Sequence, residues 1–264
     1  MAVPGLRYDA FLNLAASLGC IGVEFRNDLP GLLFDGDDPA RVKAAAQKAG
    51  LRILTLAEVK FFNDWSNEKA RQAEALMKIA TACGAEAISL IPRNDGRGLG
   101  NGERQANLRL SLRELKPMLE SHGLIGLVEP LGFEICALRS KAEAVDAIEA
   151  LGATSQFKLV HDTFHHTLAG GGAVFAEHTG MVHISGVNDP HVGVADMRDA
   201  HRVLVDQNDR LGTVAQIEEL QAAGYAGPVS FEPFAPSVHA ITDPGPKLAG
   251  SFEFISSRLA EMAA

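Results

Sequence analysis

The chain has 264 residues, of which 47% are apolar, and a formal net charge of −9. That length allows a large core and suits a single α/β barrel, expected here as one domain over residues 1–264. The acidic balance argues against a nucleic-acid backbone as partner, because phosphate binding needs a basic surface.

Residues 8–18 space their apolar side chains as a helix and stop at Gly19, before the short strand CIGVEF. Asp38 and Pro39 have the form of an N-cap and first-turn proline for a helix through Lys48, with Gly50 as its stop. LRILTLA then reads as a strand, residues 67–83 as a longer amphipathic helix ended by Gly84, and AEAISLI as the next strand. Four glycines among charged residues make 93–104 an irregular loop. Helix 105–120, strand 124–129, helix 141–151 and strand 157–162 continue the alternation. GMVHI is a further strand. A long loop follows it, then helix 214–223, strand 228–232 and a last helix over 250–262.

Strand, helix and glycine-stopped turn in repetition predict right-handed βαβ crossovers and a parallel sheet. The expectation is a TIM (β/α)8-type barrel whose first strand is short or missing. Seven strands are visible, and residues 1–3 are too few to supply an eighth. Such a barrel has an open seam, which a second copy of the chain could cover, so a homo-oligomer, with a dimer favoured, is expected.

Four polar residues end four apolar runs in the second half: Glu129 in LIGLVEP, Asp162 in FKLVHD, His183 in GMVHI and Glu232 in GPVSFEP. Taken singly, a strand-end glutamate is an ordinary ion pair and a histidine between Val182 and Ile184 a satisfied interior group. Together they are costly, because burying three unpaired carboxylates costs several kcal/mol each, roughly. The carboxyl ends of parallel barrel strands form the catalytic face. One divalent cation there, Mn²⁺, Mg²⁺, Co²⁺ or Zn²⁺, would let the four groups share a space, since oxygen and nitrogen donors suit all of these ions. Beside such an ion Glu129 and Glu232 can also work as an acid–base pair. One removes a proton next to a polarised carbonyl and the other returns one, through an enediolate.

Further candidates surround this set. His165, three residues after Asp162 in HDTFHH, could donate to a substrate hydroxyl, while His161 and His166 read as loop or helix-start residues. Arg26 could hold a substrate oxygen or pair with Glu24 or Asp28. Lys60 could polarise a substrate oxygen or lie on the surface, and Arg202 in HRVLVD could bind a polyhydroxyl substrate or cap an acidic loop. GLGNG, at 98–102, lacks the strand–turn–helix setting of a nucleotide fingerprint, so no nucleotide cofactor is expected. Cys20, Cys83 and Cys136 have neither a disulfide-framework nor a zinc-site spacing and are expected to pack as small hydrophobes in a reducing cytosol. With no signal-peptide or membrane-span run, a soluble cytoplasmic protein without membrane contact is expected.

The motifs VEP, HDTFHH, VHISGVND, HRVLVD and SFEPF, in this order and separation, resemble the xylose-isomerase-like barrel superfamily of sugar isomerases and epimerases, especially its inosose isomerase branch of myo-inositol catabolism. The resemblance spans nearly the whole chain, from GVEFRND to GPVSFEPF. It implies metal ligation by Glu129, Asp162, His183 and Glu232, acid–base roles for Glu129 and Glu232, and substrate contacts from His165 and Arg202. It further implies a small keto-polyol substrate and a divalent metal. The chain departs from the family pattern in lacking a full first strand and at the start of the long loop after the His183 strand, where HISG (183–186) replaces the more acidic continuation of some inosose isomerases. A metal-dependent phosphodiester hydrolase and a noncatalytic polyol-binding protein are the alternatives. The type-four apurinic endonucleases share this barrel but carry extra histidines on early strands, where this chain has Arg26 and Lys60.

Overall fold

The computed structural model describes residues 1–262. Seven parallel strands form one sheet in sequence order: β1 (Gly22–Arg26), β2 (Arg52–Lys60), β3 (Ala85–Ile91), β4 (Ile125–Val128), β5 (Phe157–Asp162), β6 (Thr179–Ile184) and β7 (Val229–Phe231). The helices are α1 (Tyr8–Ser17), α2 (Pro39–Lys48), α3 (Asn67–Cys83), α4 (Asn101–His122), α5 (Lys141–Ala150), α6 (Thr163–Leu168), α7 (Thr213–Ala222), α8 (Pro236–His239) and α9 (Pro244–Met262). The sheet curls into a nearly closed barrel, and β1 and β7 end the ladder without pairing to each other. The expected barrel with one strand missing or shortened is therefore the fold.

Local chemistry explains where the elements begin and end. The Asp38 carboxylate accepts from the Ala40 N–H at 2.7 Å and Pro39 opens α2, as its sequence predicts. Ser66 and Ser140 cap α3 and α5 in the same way, through the N–H groups of Lys69 and Glu143. Gly84 and Gly123 end α3 and α4 with φ of 76° and 65°, a left-handed backbone that glycine adopts without a Cβ penalty. The loop predicted for 93–104 is shorter than expected: α4 starts at Asn101 and already contains Gly102 and Arg104. It also runs two residues past the expected end at residue 120, to His122.

Strand parity separates two cores. Leu54, Ala87, Leu127, Val160 and Met181, one from each of five successive strands, form the small cluster inside the barrel. The alternate residues Ile53, Ile88, Val128 and Leu159 face outward and pack with the helices in the large cluster. Glu129, Asp162 and His183 each lie two residues beyond an inner-layer residue, and so on the inner side at the carboxyl end. Asp162 and His183 are direct neighbours in the β5–β6 register, and His183 lies beside Ser230, two residues before Glu232.

Of the cysteines, all of them free, Cys83 and Cys136 are buried and Cys20 is half-buried, in line with packing as small hydrophobes. No helix among the described residues is long and apolar enough to cross a membrane.

Candidate metal centre

Glu129, Asp162, His183 and Glu232 are all buried, and one ligand atom from each lies within 4.8 Å of every other. Opposite ligands of a first-row divalent ion stand roughly 4 to 4.5 Å apart, so the four donors converge on a space of the right size. His183 Nδ1 is 3.4 Å from Glu129 Oε1 and 3.4 Å from Glu232 Oε2. Its other nitrogen, Nε2, donates to Glu24 Oε2 at 3.2 Å. The ring therefore turns Nδ1 to the centre and Nε2 to Glu24. Hard carboxylate oxygens and one imidazole nitrogen fit a divalent cation without fixing which one.

Cationic side chains balance the carboxylates from behind. Arg202, 1% exposed, donates through Nη2 to Asp162 Oδ2 at 2.5 Å and to Glu232 Oε2 at 3.0 Å, and through Nε to Ser185 Oγ. The rings of Phe164 and Phe234 flank its guanidinium. Arg26 donates to Glu232 Oε1 at 2.5 Å and grips Asp28 with two bonds of 2.9 Å. Of the alternatives open in the sequence, Arg26 thus pairs with Asp28, whereas Glu24 belongs to His183.

Burial raises the pKa of Glu129, and the charge of Glu232 adds to the rise. Burial acts the same way on Glu232, but His183 and Arg202 outweigh it and hold that carboxyl well below the usual range. For His183, burial opposes the charged ring, yet Glu232, Glu24 and Glu129 together keep its pKa well above the ordinary value. Two glutamates in one cavity are thus pushed in opposite directions.

The other candidates lie at different depths. His165 is buried on α6; its N–H donates to Asp162 Oδ1, its ring stands edge-on to Phe133 and Phe164, and its Nδ1 has no partner. Lys60 is exposed at the end of β2, with its ammonium over the Phe61 ring. Of the two residues expected in a loop or helix start, His166 lies buried on the short helix α6, whereas His161 is fully buried within β5. Glu58, which carried no signal in the sequence beyond its strand position, lies 3.7 Å from Arg26, and burial followed by the charge of Asp28 raises its pKa to about 6.

Known proteins agree with this architecture. A xylose isomerase domain containing protein from Salmonella typhimurium LT2 is 30% identical, with a TM-score of 0.90 over 98% of this chain and 94% of that one. The IOLI protein, solved with a binding zinc atom, shares the fold at 18% identity and a TM-score of 0.81, over 96% of this chain and 92% of that one. D-Psicose 3-epimerase from Clostridium cellulolyticum H10, solved with D-tagatose, shares it at 17% identity and a TM-score of 0.69, over 96% and 94%. No curated protein matches the chain. The buried tetrad and these likenesses support a metal-dependent enzymatic role. The xylose isomerase-like TIM barrel family matches residues 12–258, nearly the whole chain, and the protein belongs to that family.

Proposed function

We propose that the protein isomerises or epimerises a small keto-polyol, an inosose or a ketose, by moving a proton next to its carbonyl. The observation that carries this reading is the pair Glu129 and Glu232, both buried in the tetrad and both 3.4 Å from the same His183 nitrogen. A divalent ion held by Glu129, Asp162, His183 and Glu232 would supply Lewis-acid polarisation of the carbonyl and its neighbouring hydroxyl.

The protein's own groups divide the remaining work. Glu232, kept ionised by His183 and Arg202, is the base that takes the carbon-bound proton. Glu129, buried on the opposite side of His183 Nδ1, is placed to return a proton to the adjacent carbon or to the other face. Arg202 holds Asp162 and Glu232 in place, and a substrate oxygen entering between them meets the same guanidinium. His165 offers an imidazole to a substrate hydroxyl, and Arg26 and Lys60 stand at the ends of β1 and β2 to contact outer hydroxyls.

Incubation of inososes and ketoses in D₂O with Mn²⁺, Mg²⁺, Co²⁺ or Zn²⁺ tests the chemistry. Solvent deuterium is expected at the carbon that loses its proton. Glu129→Gln and Glu232→Gln are each expected to keep the fold and lose at least about a hundredfold in turnover, the usual worth of a positioned acid or base. Full activity of both variants on a verified substrate would rule out the paired-carboxylate mechanism.

A further inference from the structure

Outside the sheet, where the first turn of α5 meets β5, α6 and α7, lies a row of polar groups that the metal centre does not use. Lys141 Nζ is 2.7 Å from His161 Nδ1, and His161 Nε2 is 3.0 Å from Gln216 Oε1. The Gln216 amide nitrogen donates to the Thr163 and Leu211 carbonyls and to Thr167 Oγ1, so its oxygen is left to accept. His161 therefore carries its proton on Nε2, and Nδ1 accepts from Lys141. One N–H of the amine is fixed in this way.

The rest of Lys141 lines a cavity of about 410 Å³ whose walls include Arg139, Ser140, Asp162, His166 and Phe175. Arg139 is itself tied down, donating to the carbonyls of Gly132 and Leu168. We propose that Lys141 is a nucleophilic amine and that its cavity accepts a small aldehyde or ketone, which it captures as an imine. The Nζ lone pair forms a bond to the carbonyl carbon, and the carbonyl π pair moves to oxygen, which takes a proton from nitrogen. Loss of that oxygen as water leaves the C=N bond, so amine and carbonyl give imine and water with no oxidant or reductant.

The charges around Nζ agree with a neutral amine. Burial lowers the Lys141 pKa to about 7, and the carboxylates of Asp162 on β5 and Glu219 on α7 restore only part of the drop. Burial, followed by the Lys141 charge, holds His166 on α6 near 4, so the imidazole that lines the cavity beside the amine is neutral at physiological pH. The cationic Arg139, in the turn before α5, adds no acid that would reprotonate it. The cavity shares Asp162 and His165 with the candidate metal centre, but the test of the amine reads no turnover and so fails or succeeds apart from the keto-polyol reading.

The test is reductive trapping with glycolaldehyde and cyanoborohydride on the full chain, metal-loaded and metal-free, with peptide mass mapping. At pH 7.5 an amine titrating near 7 is mostly neutral, whereas an ordinary lysine is roughly 0.1% neutral. Lower basicity gives back part of this advantage, so Lys141 is expected to label about tenfold faster than the exposed Lys48 and Lys78. Its rate should level off above about pH 8. Lys141→Arg should lose this one label with an unchanged circular dichroism spectrum. Labelling of Lys141 no faster than Lys48, or a rate that climbs steadily to pH 10, would overturn the proposal.

Discussion

One hydrogen-bond partner decides which nitrogen of His183 faces the carboxylates. Glu24 accepts from Nε2, which turns Nδ1 to the carboxylates, where a metal would replace its proton, and fixes the ring plane, the usual part played by a carboxylate behind a metal-binding histidine. Burial raises the Glu24 pKa, but the His183 charge and hydrogen bond reverse this and keep it low, so the acceptor is ionised. Glu24→Gln removes that charge while keeping the shape. It is expected to weaken binding of Mn²⁺ or Zn²⁺ about 10- to 100-fold in a calorimetric titration, with the fold unchanged. Affinity within twofold of the parent protein would remove Glu24 from this role. At this scale the sequence was only partly legible. The four ligand candidates stand out because a carboxylate or imidazole ends an apolar run. Glu24 does not, since Arg26 two residues on offers a plausible local partner and the true one lies 159 residues away. Lys141 looked like any polar residue in the first turn of a helix, because the histidine and glutamine that define it come from β5 and α7.

At the scale of elements, the reading succeeded where periodicity had room to repeat. The strands and the helices α2, α3 and α5 have caps and stops close to those expected, because Asp38, Ser66, Gly84 and Ser140 act locally. The start of α4 was missed: Gly100 and Gly102 lower helix propensity, yet Leu108, Leu112 and Leu115 bury one face of the helix and carry it back to Asn101. The six residues of α6 are too few to show a period, so HDTFHH gave only a polar cluster. The Asp162 side chain settles that segment by accepting from the His165 N–H at 2.9 Å, which starts the helix at the strand's last residue. The same carboxylate thus caps α6 with one oxygen and meets Arg202 with the other. Position of the site and start of the helix are coupled through one residue.

For the whole molecule, the feature with most reach is the gap between β1 and β7. Phe11, Leu14 and Leu18 of the first helical segment face a cavity of about 190 Å³ at this gap, together with Val229 and Phe231. That is the inward packing which competes with an interface for the same stripe. Ile21 and Val229 remain 59% and 36% exposed at the two edges. Unpaired strand edges and exposed apolar residues together favour association, and a closed two-fold pair is the commonest form. Sedimentation at micromolar concentration is therefore expected to show a species near twice 28.0 kDa. A single monomer throughout that range would rule out the pair and leave the gap covered by residues 1–3 and the first helix alone.

Every ladder in the sheet joins strands that are neighbours in the sequence, so the sheet can fray from either free edge without unzipping its middle. β7 has only three residues, none fully buried, and β1 buries two of five, whereas β5 buries all but Lys158. Local opening should follow that gradient. Amide protons of β3, β4 and β5 would then outlast those of β1 and β7 in native-state hydrogen exchange. Glu24 and Glu232, carried on or just beyond the fraying strands, would open first, while Glu129 and Asp162 stay on the stable interior strands. One of the four candidate ligands, and the carboxylate behind His183, would thus breathe with the edge of the sheet. Equal protection of β7 and β4 would mean that something closes the edge in solution.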